Sequence, residues 1–186
     1  MKLIKIIIFL LISFNLPLKV NSSNDLQSIL NKGGKLIFIR HAYAPGVGDP
    51  DNFDISDCSS QRNLNDEGIE QSINIGKFFL ENNIDIDIVL SSEWCRCKKT
   101  AEYAFKNYET KFFLNSFFSQ KFANNKVSQI EELKKYIKKW DGKKNLIFIT
   151  HYVVILEVLN LSASSGEIIV SDKNFNMLVR QKIFSN

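Results

Sequence analysis

The chain contains two histidines, and each follows an apolar run of strand length. The run KLIFI ends at Arg40-His41, and the run NLIFI ends at Thr150-His151. Between them a third run, IDIVL, gives way to SSEWCR and so delivers Arg96. In open α/β sheets, ligands bind beyond the carboxyl ends of the strands. If these runs are neighbouring parallel strands, Arg40, Arg96, His41 and His151 meet at one sheet edge, beside helix N-termini. Two permanent, forked cations in that setting form an anion site, and a phosphoryl group fits it. Singly, each residue has an ordinary structural use, as a surface ion pair or a packed histidine. Both histidines at matching strand-to-helix transitions is the pattern that points to chemistry.

The elements that must position these groups follow from periodicity. NDLQSILNKGG reads as a short helix closed by Gly33 and Gly34. KLIFI is a strand buried on both faces, as in parallel sheets. A polar loop follows from Ala42 to about Asn65, a length at which loops tend to be functional. Asn65 caps the next helix, whose apolar line is read as Ile69, Ile73, Gly76 and Leu80. The strand IDIDIVLSS precedes a helix from Trp94, with Cys97, Ala101, Ala104 and Phe105 on a common side. TKFFLN reads as a strand, and the aromatic stretch after it as irregular, with core as its expected use. Ser128 and Glu131 suggest a capping box for a helix lined by Ile130, Leu133, Ile137 and Trp140. The strand NLIFIT, a nearly all-apolar helix from His151 and a hairpin across SDKN close the chain. Strands alternating with helices predict a three-layer α/β/α sandwich with a largely parallel central sheet.

Residues 1–22 have the layout of a signal peptide: Lys2 and Lys5, an apolar run to Phe14, and a polar flank ending at Ser22. The alternative is an uncleaved anchor, although the run is short for a membrane span. Lys2, Lys5 and Lys19 leave with the leader, so 24 basic residues become 21 against 20 acidic ones. A mature chain near +1 carries no nucleic-acid stripe and no expected partner of that kind. Export predicts a periplasmic or secreted protein with no stable membrane association after cleavage. It also permits disulfides, and three cysteines allow one pair and one leftover thiol, or three reduced thiols. Zinc is disfavoured, since no second close pair or nearby histidine completes four ligands.

Five stretches, taken in order, resemble the histidine phosphatase (phosphoglycerate-mutase-like) superfamily. RHA is similar to its Arg-His-Gly signature, LNDEGIEQS to its helix start, and SSEWCRCKKTAE to the segment of its second arginine. THYVVI is similar to the segment of its second histidine, and SGEIIV to a late strand. The match spans Lys35 to Val179, and it makes residues 23–186 a single phosphatase domain. The resemblance implies that His41 is the nucleophile and forms a phosphohistidine, its other ring nitrogen bonded to a backbone carbonyl. Arg40, Arg96 and His151 would bind the phosphoryl oxygens of a small phosphorylated substrate. No metal and no cofactor is implied. A disulfide between Cys58 and Cys95 is implied as well, because position 97 falls where the family has a core alanine.

The sequence departs from the family pattern at three places. Ala42 replaces glycine, which matters only if the turn needs positive φ. Glu93 replaces proline and would pair with a cation or blunt the positive site. FFLNSFFSQ offers Asn115 and Ser116 where family members carry a general acid, which leaves Asp49, Asp51, Asp54 and Asp57 of the first loop as candidates. Losing such an acid costs roughly 10²–10⁴-fold, least for a good leaving group. The leading expectation is therefore a phosphatase, and the alternative a catalytically weak phosphate- or phosphoester-binding protein. A phosphomutase needs water excluded from the phosphoenzyme. A purely structural use, with Arg40 and Arg96 paired to loop aspartates, leaves both histidines unexplained.

Overall fold

Four apolar residues before Arg40 can be accommodated only by burial on both faces, and Leu36 to Ile39 of β1 (Leu36–Arg40) are fully buried. The computed structural model describes residues 22–183. The leader read in residues 1–22 lies outside these except for Ser22, which opens α1 (Ser22–Leu30). Then follow α2 (Asp66–Glu81), β2 (Ile86–Ser91), α3 (Cys95–Phe105), β3 (Glu109–Thr110) and α4 (Lys126–Lys139). The chain continues through β4 (Asn145–Thr150), α5 (Tyr152–Leu159), β5 (Glu167–Ser171) and β6 (Met177–Lys182). Among the described residues no helix is long and apolar enough to cross a membrane.

The sheet order is β3-β2-β4-β1-β5-β6. The pairs β1–β4, β2–β4 and β2–β3 are parallel, and β5 runs antiparallel to both β1 and β6. Arg40 is level with Thr150, and Ser91 with Ile149, so β1, β2 and β4 end at one edge. Alternate side chains feed two cores. Leu36, Phe38, Leu146 and Phe148 pack with residues of α4 and α5. Ile37, Ile39, Ile147 and Ile149 pack with residues of α1, α2 and α3. This is the expected three-layer sandwich. Phe38 stacks on Phe148 with ring centroids 4.9 Å apart, and burial of such side chains stabilises by roughly 1.5–3 kcal/mol each. The hairpin across SDKN is present between β5 and β6, and Ile130, Leu133, Ile137 and Trp140 are buried as read.

Three local expectations are corrected. The buried line of α2 is Gly68, Ser72, Ile75 and Phe79, one residue away from the one read; Leu80 is 78% exposed. Small residues set this rotation, since a Cβ on Gly76 would lie 2.2 Å from the Ala104 carbonyl oxygen of α3. TKFFLN is not a strand beyond Thr110; Phe112–Leu114 is a 3₁₀ turn. There Gln129 donates to the Phe112 carbonyl and Thr150 Oγ1 to the Leu114 carbonyl, so side chains replace ladder partners. The capping box is absent, because a 3₁₀ turn over Gln120–Asn125 runs straight into α4 and the Ser128 hydroxyl donates to the Asn125 carbonyl. The nearly all-apolar helix from His151 buries Val154, Ile155 and Leu159 and leaves Leu156 44% exposed.

Candidate active site

The strand ends deliver the charged groups, and the motif residues fix the backbone around them. Thr100 Oγ1 accepts from Ala42 N at 3.0 Å and donates to the Arg96 carbonyl at 2.7 Å, which ties the turn after β1 to α3. Gln71 accepts from Tyr43 N at 2.9 Å and donates to the Ser165 carbonyl. Gly68 is needed there, because a Cβ would meet the Tyr43 carbonyl oxygen at 2.0 Å. Ala42 is fully buried and is not among the positive-φ residues, so alanine serves where glycine is usual.

His41 and His151 are each 2% exposed, and their ring centroids lie 5.5 Å apart, edge to face. His41 Nδ1 donates to its neighbour's carbonyl, Ala42 O, at 2.8 Å, which leaves Nε2 as the nitrogen with the free lone pair. His151 Nε2 donates to Ser92 Oγ at 2.9 Å, whose hydroxyl donates in turn to Asn115 Oδ1 at 3.0 Å. His151 Nδ1 then faces Arg96 Nη2 at 3.5 Å. Arg96 Nη1 holds both Asp49 oxygens at 2.8 and 3.1 Å. Arg40 Nη1 donates to the Ala163 carbonyl at 2.8 Å, not to an aspartate. The Nε–H groups of Arg40 and Arg96 are buried without a partner. Both guanidiniums line a cavity of about 280 Å³, and cations gathered in this way suit an anion.

Arg40, His41, Arg96 and His151 therefore line one cavity, and a third arginine lines it with them. Arg62 donates through Nε to Gly48 O at 2.8 Å and through Nη1 to the Ala44 carbonyl, and so braces the loop over the site. The sequence reading missed it. Its signal was scarcity: of 24 Lys and Arg residues only four are arginine, and three of those reach this cavity. Burial and then the neighbouring Arg96 push the Arg62 guanidinium below its ordinary pKa, as expected of crowded cations.

The candidate acids separate. Asp54 accepts from Ser56, and Asp57 caps the 3₁₀ turn at Cys58–Ser60, so neither reaches the cavity. Asp49 and Asp51 line it. Glu93 bonds to Asn115, not to an arginine. One expected N-terminal donor of α3 is also taken, since Cys95 N donates to Gln61 Oε1 at 3.0 Å.

Comparison of the sequence with family models and with curated proteins finds no match. Comparison of the structure does. The protein histidine phosphatase SixA complexed with tungstate matches at 16% identity and a TM-score of 0.53, over 77% of this chain and 92% of that one. Phosphoglycerate mutase from Thermus thermophilus matches at 15% identity and 0.52, over 78% and 97%. The chain has the histidine phosphatase fold. A phosphoserine phosphatase mutant from Entamoeba histolytica, in complex with phosphoserine, matches at 14% and 0.52, over 73% and 89%.

On this histidine phosphatase fold, Cys58 and Cys95 form a disulfide with Cα atoms 5.5 Å apart, and Cys97 is the free thiol. Burial pushes the Cys97 thiol up to about 12, so it is inert beside His151. The bridge closes a separation of 37 residues and fixes the loop bearing Asp49 and Arg62 beside Arg96. Closing a loop of that length stabilises by about 4 kcal/mol in the chain-entropy model. Cys58→Ser is expected to cost about 2–4 kcal/mol in urea unfolding and to weaken anion binding; unchanged values would show the loop to be held by other contacts.

Burial, and after it the charge of Arg96, holds both imidazoles well below the ordinary 6.5. Both are therefore neutral in the free protein at neutral pH. The unfolded chain protonates at these sites first as pH falls, so their contribution is full above 6.5 and is lost below it. Between pH 6.5 and 5 the unfolding free energy should fall by up to about 1.4 kcal/mol per pH unit for each histidine. Urea titrations at pH 5, 6 and 7 check this, and His151→Asn should halve the slope.

Proposed function

We propose that this chain is an exported phosphatase that hydrolyses a phosphomonoester or related phosphoryl compound through a phosphohistidine at His41. One arrangement supports the reading: a buried imidazole with its Nδ1 spent on Ala42 O lines the cavity in which Arg40, Arg62, Arg96 and His151 also meet. Nε2 attacks phosphorus, and the pair of the breaking P–O bond leaves on the departing oxygen. The arginines take up the charge of the equatorial oxygens, and no metal is required for that task. A bound dianion favours the cationic form of His151, which then donates through Nδ1 as well as Nε2. Water releases phosphate from the phosphoenzyme. Export rests on the leader-like residues 1–22 and fits the disulfide.

The alternative, a phosphate- or phosphoester-binding protein with little turnover, is favoured by the Asp49–Arg96 ion pair and by Asn115 after β3. Incubation with labelled acetyl phosphate or p-nitrophenyl phosphate separates the two. An acid-labile, alkali-stable phosphoprotein that is lost in His41→Asn supports the enzyme. Tungstate binding with neither phosphoprotein nor phosphate release supports the receptor.

A further inference from the structure

The cavity has a charged floor and ringed walls. Phe53, Trp94 and Phe122 pack together with centroids 5.4 to 5.9 Å apart, and Trp94 meets the His151 ring edge-on at 5.5 Å. Phe118, 55% exposed, lies 5.7 Å from Tyr152, over which the Arg40 guanidinium sits at 5.4 Å. All five rings line the cavity that holds His41. Lys121 lines it too, its ammonium 5.7 and 5.4 Å above the rings of Phe53 and Phe122. Among the described residues Lys121 makes no ion pair. A phosphoryl group needs none of these rings, and about 280 Å³ is more than it fills.

The acid chemistry points the same way. The Asp49 side chain, which lines the cavity, accepts from Arg96 Nη1 at 2.8 Å and from the Trp94 indole N–H at 3.1 Å, so both its oxygens are engaged as acceptors. Asn115 is spent on Ser92 and Glu93. A departing alkoxide would have to draw its proton from Asp51 or from His151, which also line the cavity. An aryl oxide needs none, because the ring spreads its charge.

Building on the phosphatase reading, we infer that the site takes a small phosphomonoester whose leaving oxygen is carried on an aromatic ring, with a second anionic group on that ring reaching Lys121. The ring lies between Phe118 and the Phe53–Trp94–Phe122 wall, where offset and edge contacts favour it over an alkyl chain. In the reaction the P–O bond to the ring breaks with its electron pair on the aryl oxygen, as His41 Nε2 bonds to phosphorus. Water then adds its oxygen to phosphorus as the P–Nε2 bond breaks with its electron pair returning to His41, one of the water protons passing to the aryl oxide and the other remaining with phosphate.

Binding of non-hydrolysable phosphonates, measured by calorimetry on the full chain, tests this without requiring turnover. Benzylphosphonate is expected to bind about tenfold more tightly than propylphosphonate. A 4-carboxyl on the benzyl ring should add about threefold. Phe118→Ala should bring the benzyl-to-propyl ratio to about two or less, and Lys121→Gln should remove the carboxyl increment. Equal affinity for benzyl and propyl, or a ring preference unmoved by Phe118→Ala, overturns the inference and leaves the phosphatase standing if p-nitrophenyl phosphate is hydrolysed. Failure to bind any phosphonate, and tungstate also, removes the anion site and both readings with it.

Discussion

Replacing His41 by asparagine is expected to abolish turnover, lowering kcat/KM by on the order of 10⁴–10⁶-fold, while the protein still folds and binds tungstate. The size of the effect follows from the lack of a substitute nucleophile. Cys97 is buried and its thiol is pushed up to about 12. Ser92 Oγ already donates to Asn115 and accepts from His151. Asparagine keeps a short polar side chain able to donate to the Ala42 carbonyl, so the turn after β1 survives. His151→Asn should behave differently. On the proposed mechanism it removes a phosphoryl donor, not the nucleophile, and should cost about 10²–10³-fold with phosphoenzyme still formed. Stopped assays and phosphoprotein analysis of both variants decide the matter. A phosphoenzyme in His41→Asn that is absent from His151→Asn would reverse the roles given to the two imidazoles.

Much of this site was legible because strand burial is a simple signal. LIFI occurs twice with no polar residue, which fixes two central parallel strands, and whatever follows such strands lies at their carboxyl edge. The approach of Arg40, His41 and His151 follows from that, and Arg96 joins them because β2 also runs parallel and ends at the same edge. What could not be read depends on rotation and loop path. The α2 sequence carries apolar residues on two adjacent lines, and only the approach of Gly68 to Tyr43 and of Gly76 to Ala104 selects one. TKFFLN has strand composition, yet Gln129 and Thr150, distant in sequence, satisfy its carbonyls in a turn. Arg62 was hidden in a loop without period, where position depends on long-range ties such as the Arg62 N–Asp49 hydrogen bond and the Cys58–Cys95 bridge. Four loop aspartates looked equivalent until two proved to be local caps.

Arg96→Lys is expected to lower kcat/KM by about 10³-fold or more although the charge is kept. Arg96 does three things at once: Nη1 grips Asp49, Nη2 approaches His151 Nδ1 at 3.5 Å, and Nε–H is left buried without a partner. A lysine offers one nitrogen. If that nitrogen stays with Asp49 it cannot clamp a phosphoryl group, and if it turns to the anion the loop loses its anchor. Tungstate affinity should therefore fall with turnover. Asp49→Asn acts on the same pair from the other side. It removes a carboxylate that shares the guanidinium with any incoming anion, so tungstate should bind more tightly, by about tenfold. Turnover should nevertheless fall, since Arg96 and the Trp94 indole lose their common support. Opposite effects on tungstate are the decisive reading. If Arg96 and Asp49 form only a structural ion pair, both variants would lose stability alike and neither would change anion binding.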